Sequence, residues 1–268
     1  SWTMQEKLTA GDAEPGDYFG KSVSLSGDSA IVGADGEDEK GSGAGAAYVF
    51  VRSGESWIQQ AKLTASDAAM GDWFGQAVSL SGDSALVGAP FAKVGSGYAG
   101  AAYIFSREGE SWSQQAKLIA SDSQPMDYFG GAVAISGDTA IVGAPFAAGA
   151  GSASGAAYVF TRSGDVWTEQ TKLTAADAAP YTVFGFSVSL RSGLAAIGAP
   201  GEGAAETDPG SVYLFQRSGG VWTQHSKLAS ADGAAKDCFG LSAALGKGIL
   251  IAGAPYNSDP EFESGAAY

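Results

Sequence analysis

The sequence predicts an all-β chain folded as a β-propeller of five four-stranded blades, the ring being closed by the N-terminal strand completing the last blade. Three observations carry this reading. Tryptophan recurs at Trp2, Trp57, Trp112, Trp167 and Trp222, an unbroken step of 55 residues, and a fixed period of that size marks a repeat architecture. The same step carries Lys7 to Lys62, Phe19 to Phe74 and Tyr48 to Tyr103, and onward through the chain without insertion. No Pro/Ser-rich spacer interrupts the series, so residues 1–268 read as one domain rather than as units on linkers. Each unit holds four short runs of extended pattern, and no segment shows a capped helical period.

The second unit shows the elements in order. Trp57–Leu63 is extended and half polar, and Thr64–Gly71 is a loop. Gln76–Leu80 alternates small or polar residues with Val78 and Leu80 in the period-two manner of a half-buried strand. Ser81-Gly82-Asp83-Ser84 is a tight turn, because Gly supplies a positive φ and Asp bonds its own backbone. Ala85–Ala89 is a third strand that stops at Pro90, which cannot donate to a ladder. A Gly-rich loop leads to the fourth strand, Gly100–Arg107, and Glu108-Gly109-Glu110-Ser111 turns into the next tryptophan. Four strands per repeat, repeated radially, shelter the sheet edges of a propeller. Narrow spacing near the axis suits Gly33-Ala34, Gly88-Ala89 and Gly143-Ala144, and aromatic rings fill the wider space outside.

The residues equivalent to Val49–Glu55 are all that the last period lacks. The segment Trp2–Ala10 precedes any partner strand, so it is expected to supply the last blade's missing strand. The alternative is an arc of a longer propeller.

Composition narrows the function. Of 268 residues 40 are Gly, and 45% are apolar, which keeps the chain in the globular class. Lys and Arg number 15 against 29 Asp and Glu, a formal charge of −14. That excess repels phosphate backbones and anionic lipid, so neither nucleic acid nor membrane insertion is expected. No apolar run is long enough for a membrane span, and no signal-like start is visible. The single cysteine, Cys238, forbids an internal disulfide, and the single histidine, His225, removes most zinc sites and His-based catalysis. The acids repeat from unit to unit without one asymmetric pair, which leaves a glycosidase reading without its carboxylates. The expectation is a non-catalytic protein.

Phe74-Gly75 followed by Gly88-Ala89-Pro90 recurs as Phe129-Gly130 with Gly143-Ala144-Pro145 and as Phe239-Gly240 with Gly253-Ala254-Pro255. Only Asp35, in the first unit, departs from the final Pro. This resembles the FG-GAP repeat, the unit of the integrin α-subunit β-propeller, over the whole chain. The resemblance implies an extracellular or cell-surface, non-enzymatic module for adhesion and ligand binding. Integrin propellers have seven blades against five units here. The family's calcium loop is replaced by turns such as Ser26-Gly27-Asp28-Ser29, and one carboxylate cannot supply the six to eight oxygens that calcium takes.

In an up-and-down blade the Lys-Leu-Thr-Ala…Phe-Gly and Gly-Ala-Pro…Gly-Ala-Ala loops share one face. Most of the acids fall there, opposed by Lys40, Lys93 and Lys236 alone, so that face is expected to meet a cationic ligand, a protein or divalent ions. Its candidate ligand residues are Glu37, Asp38, Glu39, Glu202, Glu206, Asp208, Asp259, Glu261 and Glu263. A recurrent pair, Asp12 with Asp17, Asp67 with Asp72, Asp122 with Asp127 and Asp232 with Asp237, is a candidate Ca2+ site at the blade edge. The alternative for these pairs is that they hold the loop turn by accepting backbone N–H bonds. The repeated Trp either stack on sugars, as in a multivalent lectin, or fill the inter-blade space. A structural building block of an extracellular filament, coat or matrix is the further alternative, and it would use the acidic face or the open termini.

Overall fold

The alternation read from the sequence becomes sheet structure in a computed structural model that describes residues 3–149, 151–201, 208–258 and 263–268. The first blade is β1 (Ser22–Ser26), β2 (Ser29–Ala34), β3 (Ala46–Ser53) and β4 (Ser56–Leu63), antiparallel in that order. The second is β5 (Ala77–Ser81), β6 (Ser84–Ala89), β9 (Ala101–Glu108) and β10 (Ser111–Leu118). A two-residue hairpin, β7 (Lys93–Val94) with β8 (Gly97–Tyr98), decorates its long loop. The third is β11 (Ala132–Ser136) to β14 (Val166–Leu173), through β12 (Thr139–Ala144) and β13 (Ala156–Ser163). The fourth is β15 (Ser187–Arg191), β16 (Leu194–Ala199), β17 (Ser211–Ser218) and β18 (Val221–Leu228). The fifth has three strands, β19 (Ser242–Leu245), β20 (Leu250–Ala254) and the short β21 (Ala266–Ala267). No helix is present among the described residues. Each blade therefore straddles the repeat boundary, taking its outer strand from the following unit.

The inner strands divide their two faces as their period demands. Val78 and Leu80 of β5 turn back onto Ile31 and Val49 of the first blade, with Phe74, Val87, Tyr103 and Phe105 around them. The serines between them face forward. Ser24 Oγ accepts the Leu80 N–H at 3.0 Å, Ser79 Oγ accepts that of Ile135 at 3.1 Å, and Ser189 Oγ that of Leu245 at 3.0 Å. Apolar seams of this kind join blade to blade along the chain.

The two family-like motifs meet at each seam. A Cβ placed on Gly33 would lie 2.0 Å from the carbonyl oxygen of Gly75, one on Gly88 1.9 Å from that of Gly130, and one on Gly143 2.0 Å from that of Gly185. The Phe-Gly glycine is pressed in return on the preceding blade: Gly75, at φ +94°, would place a Cβ 2.3 Å from the Ala46 oxygen. Both glycines are thus required by close backbone approach, and the second also by its left-handed φ.

The outer strands carry a conserved-register bulge, with Gln60 extra between Ala61 and Gln59 and Gln115 extra between Ala116 and Gln114. The unpaired residue is re-aimed by the bulge. Gln60 accepts the Trp112 indole N–H at 2.9 Å and Gln115 that of Trp167 at 3.0 Å. Arg107 and Arg162 cover the same two rings at 5.5 and 5.6 Å. These tryptophans fill the space between outer strands.

Closure of the ring by the N-terminal strand is corrected by the structure. Residues 3–10 form no strand, and the fifth sheet contains only β19, β20 and β21. Leu8 and Ala10 instead pack on Val32, Ala34 and Tyr48 of the first blade. Glu6 accepts the Trp57 N–H and Gln59 accepts the Gly11 N–H, at 2.8 and 2.9 Å. Leu8 and Ala10 thus take the seam position that Leu63 and Ala65 hold on the second blade, but Leu63 also pairs with Ala47 of its own sheet, and among the described residues no strand of the last blade reaches residues 3–10. Trp2 itself lies outside the described residues. The five blades form an arc with two uncovered end faces. Val23 is 71% exposed where its counterpart Val78 is 8% exposed, and Ile251 is 53% exposed where Ile141 is fully buried. Gly20 meets no neighbouring atom, and Gly253 meets only the side chain of Ser242.

This contrast generates a stability test. Gly88→Ala drives a methyl into the Gly130 backbone and is expected to cost at least about 2 kcal/mol. Gly253→Ala, with only the Ser242 side chain to displace, is expected to cost less than about 1 kcal/mol. Thermal unfolding of the two variants measures the difference, and equal losses would remove the seam contact as its cause.

Candidate functional site

The loops leaving the second strand of a blade and the loops entering the next blade lie together on one face. Gly71 N, Trp73 N and Phe74 N donate to the carbonyls of Ser42, Gly43 and Ala44, at 2.9, 3.0 and 3.0 Å. Neighbouring blades therefore build this face jointly.

The recurrent aspartates divide into two roles. The first of each pair takes a tyrosine and a lysine from the adjoining strands. Asp67 accepts from Tyr103 Oη at 3.0 Å and Lys117 Nζ at 2.6 Å, Asp122 from Tyr158 at 2.7 Å and Lys172 at 2.7 Å, and Asp177 from Tyr213 at 2.9 Å and Lys227 at 2.7 Å. Tyr268 donates likewise to Asp232. Burial works against their charge, yet the lysine and tyrosine hydrogen bonds hold Asp67, Asp122 and Asp177 below the ordinary carboxylate range. Burial pushes the Tyr213 hydroxyl up to about 12, and its bond to Asp177 adds to that.

The second of each pair is buried and closes its own loop. Asp17 accepts the Glu14 N–H at 2.8 Å, Asp72 that of Ala69 at 2.9 Å, Asp127 that of Gln124 at 2.7 Å and Asp237 that of Ala234 at 2.9 Å. Desolvation raises Asp72 and Asp127 above the usual range, and the backbone N–H bonds only partly offset it. In the fourth unit the Thr182 hydroxyl lies 2.9 Å from the Ala179 oxygen and 3.0 Å from that of Ser154. The second aspartates thus hold their loop turns through backbone N–H bonds, and the first tie the loop to a tyrosine and a lysine of neighbouring strands.

The first blade breaks the pattern. Lys62 Nζ lies 2.6 Å from Asp12, 2.8 Å from Glu37 and 2.8 Å from Glu39, so one ammonium gathers three carboxylates. Burial works against the charge of Lys62, but the three hydrogen bonds raise it above the usual lysine value. Glu37 is 5% exposed, and its Oε2 has no protein partner. Asp38 Oδ1 accepts the Gly43 N–H at 2.9 Å and shapes the loop. The acids and Lys62 line a cleft of about 340 Å³. Of the other candidate ligand residues, Asp208 accepts the Gly210 N–H and the Glu263 N–H is bonded to Ser258, so both are loop residues well away in the fold. Glu202, Glu206, Asp259 and Glu261 lie outside the described residues.

The structure also assembles a feature that the sequence reading did not single out. Tyr18, Trp73, Tyr128, Val183 and Cys238 occupy one repeat position, and all five have φ between 48° and 63°. Such a backbone is costly for a residue with a Cβ and is held by its surroundings. It turns the aromatic members toward the next ring along. Trp73 meets Phe91 at 4.6 Å, Phe91 meets Tyr128 at 5.2 Å and Tyr128 meets Phe146 at 5.6 Å, all edge to face. Beside this staircase, in the first blade, Asp35 stands where later units have Pro. The usable signal was the aromatic after three of the four Gly-Ala-Pro motifs, at Phe91, Phe146 and Tyr256, with Gly201 in the fourth unit.

The aspartate contacts have a pH signature. A carboxylate held low in the fold contributes stability that is complete above its unfolded pKa and is lost as the pH falls through the lowered value. Asp122→Asn is expected to cost about 1 kcal/mol at pH 7. The gap from the parent protein should close as the pH falls below the ordinary carboxylate range. Melting temperatures across pH check this, and a gap that stays constant would assign the loss to packing instead of charge.

Comparison with curated proteins gives no matching relative. A family model described as the FG-GAP repeat matches residues 2–50, 57–105, 112–160, 167–215 and 222–268. Those matches begin at the tryptophan of each unit and contain the glycines that meet at the seams, and the chain belongs to the FG-GAP repeat family.

Proposed function

We propose that this propeller is a non-catalytic, extracellular binding and adhesion module that presents its acidic loop face to a cationic protein or ligand. Its fold is of a binding or adhesion type, typically non-catalytic. The observation that carries the reading is the asymmetry of the first blade. Three loops repeat one Asp–Tyr–Lys arrangement, whereas in the first blade Glu37 and Glu39 join Asp12 around a single lysine, with Asp38 beside them. Uniform acids hold a fold together in every blade, but an excess in one blade is a local field that steers a cation there.

Poly-L-lysine is a suitable first probe, measured at low and high salt. Replacing Asp38 and Glu39 together by Asn and Gln is expected to weaken binding several-fold at low salt, and the difference should fade as salt screens it. The matching change at Glu108 and Glu110, in the turn on the opposite face, should leave binding within about twofold. Equal effects from the two faces would sink the assignment.

The uncovered end faces support a second reading, a structural unit of an extracellular assembly. Val23 and Leu25 at one end, and Ile249 and Ile251 at the other, are exposed apolar side chains on open sheets. Light scattering over a concentration series tests it, since an assembly unit grows in mass with concentration.

A further inference from the structure

The rung position of the aromatic staircase holds glycine at Gly36 and Gly201, and only at Gly36 are the flanking residues aromatic, Tyr18 and Trp73, around a gap lined for a cation. In the second blade Phe91 fills the space between Trp73 and Tyr128. The equivalent residue in the first blade is Gly36, where a ring would have stood between Tyr18 and Trp73. No side chain fits there on this backbone, because a Cβ on Gly36 would lie 2.1 Å from the Gly16 oxygen. The result is a cavity of about 560 Å³ with Tyr18 and Trp73 as walls and Asp35, Asp38 and Lys21 among its lining. That volume suits a small ligand or one side chain of a larger one.

Asp35 is an unusual residue to find there. It is 6% exposed, and its Oδ1 is sealed from solvent without any hydrogen-bond donor. Besides its own backbone N–H, the carboxylate has Lys21 Nζ at 3.9 Å from Oδ2, on a side chain that is 44% exposed. A buried carboxylate so poorly compensated costs free energy, and burial correspondingly raises its pKa. A second positive charge beside it would offset that cost.

We propose that this cavity is a binding site for a quaternary ammonium group. The claim rests on the reading above that this face recognises cations, and it names which cation. The choice among cations follows from the acceptors. A guanidinium requires two accessible carboxylate oxygens for its fork, and Asp35 Oδ1 is sealed. A primary ammonium brings three N–H donors that need acceptors, and of the lining carboxylate oxygens Asp35 Oδ1 is sealed and Asp38 Oδ1 is shared with the Gly43 N–H, which leaves the two Oδ2 atoms. A methylated ammonium brings no donors to leave unpaired, and it is recognised by aromatic faces and a nearby charge. Tyr18 and Trp73 supply the faces, and Asp35 supplies the charge. Lys21 is the resident competitor, and its exposed arm can turn to solvent when the site fills.

The experiment is calorimetric titration of the whole chain with tetramethylammonium chloride, ammonium chloride and arginine methyl ester. Tetramethylammonium is expected to bind saturably and more tightly than the other two. Asp35→Asn and Trp73→Leu should each weaken it at least tenfold, and Lys21→Gln should tighten it a few-fold. Circular dichroism confirms that each variant is folded, and Asp35→Asn alone suffices if Trp73→Leu is not. Absence of saturable binding, indifference to Asp35→Asn, or tighter binding of the arginine ester would each overturn the proposal. Choline and a trimethyl-lysine peptide then separate the sources of the group: similar affinities indicate a free solute, and a peptide preference above tenfold indicates a protein partner. The two readings fail separately. Poly-L-lysine binding that persists without tetramethylammonium binding rejects this site alone, and loss of both rejects the cationic reading of the face.

Discussion

The backbone contact between two glycines across each seam sets the distance at which one blade can lie on the next. Gly33 faces the carbonyl of Gly75, and the same meeting recurs at Gly88 with Gly130, Gly143 with Gly185 and Gly198 with Gly240. A single methyl at these points would separate the sheets near the axis. With the sheets that close, Val78 and Leu80 reach Ile31 and Val49, and the forward serines reach the next inner strand. The Phe before each seam glycine then closes the apolar space, Phe74 lying edge-on to Tyr103 at 5.6 Å and to Phe105 at 5.9 Å. The repeat motif is therefore one packing device read from two blades.

The polar face follows from the same repetition. A charge that recurs in every blade meets the same partners in every blade, so Asp67, Asp122 and Asp177 share one set of contacts and one direction of pKa displacement. On the opposite side, Arg52, Arg107 and Arg162 each close on the Asp of a neighbouring turn within the same blade. These are exposed pairs, and each adds little to stability. They fix side chains more than they hold the fold. Function is then sought where the pattern is broken, and the first blade breaks it twice, by the Glu37-Asp38-Glu39 loop and by Asp35-Gly36 in place of Pro followed by an aromatic residue.

Both departures act on neighbouring space. The acidic loop adds two carboxylates to Asp12 around Lys62, and the Asp35-Gly36 step opens a gap between two aromatic walls. One raises the local negative potential, and the other provides a shaped, partly apolar recess under it. A long-range field combined with a short-range pocket is how charged recognition obtains both rate and selectivity.

Strand order, turn positions, the seam glycines and the blade-straddling outer strand were legible in the sequence. They depend on period-two burial, on φ, and on a step of 55 residues, all of which are local or strictly periodic properties. The loop turn closed by the second aspartate of each pair is local, whereas the tyrosine and lysine that the first aspartate binds stand 36 and 50 residues away and were not paired with it from the sequence. Whether the ring closes was not legible, because closure depends on how the turns from blade to blade add up over the whole chain, which no single repeat shows, and Val23 and Ile251 on the two end faces stay exposed. Leu8 and Ala10 take the seam position on the first blade that Leu63 and Ala65 take on the second, without the sheet pairing that Leu63 has with Ala47. The cavity beside Asp35 was equally out of reach. Asp35 and Gly36 are plain departures in a repeat, but the walls that make them a site, Tyr18 and Trp73, stand in different repeats and are brought together by the turn from one blade to the next.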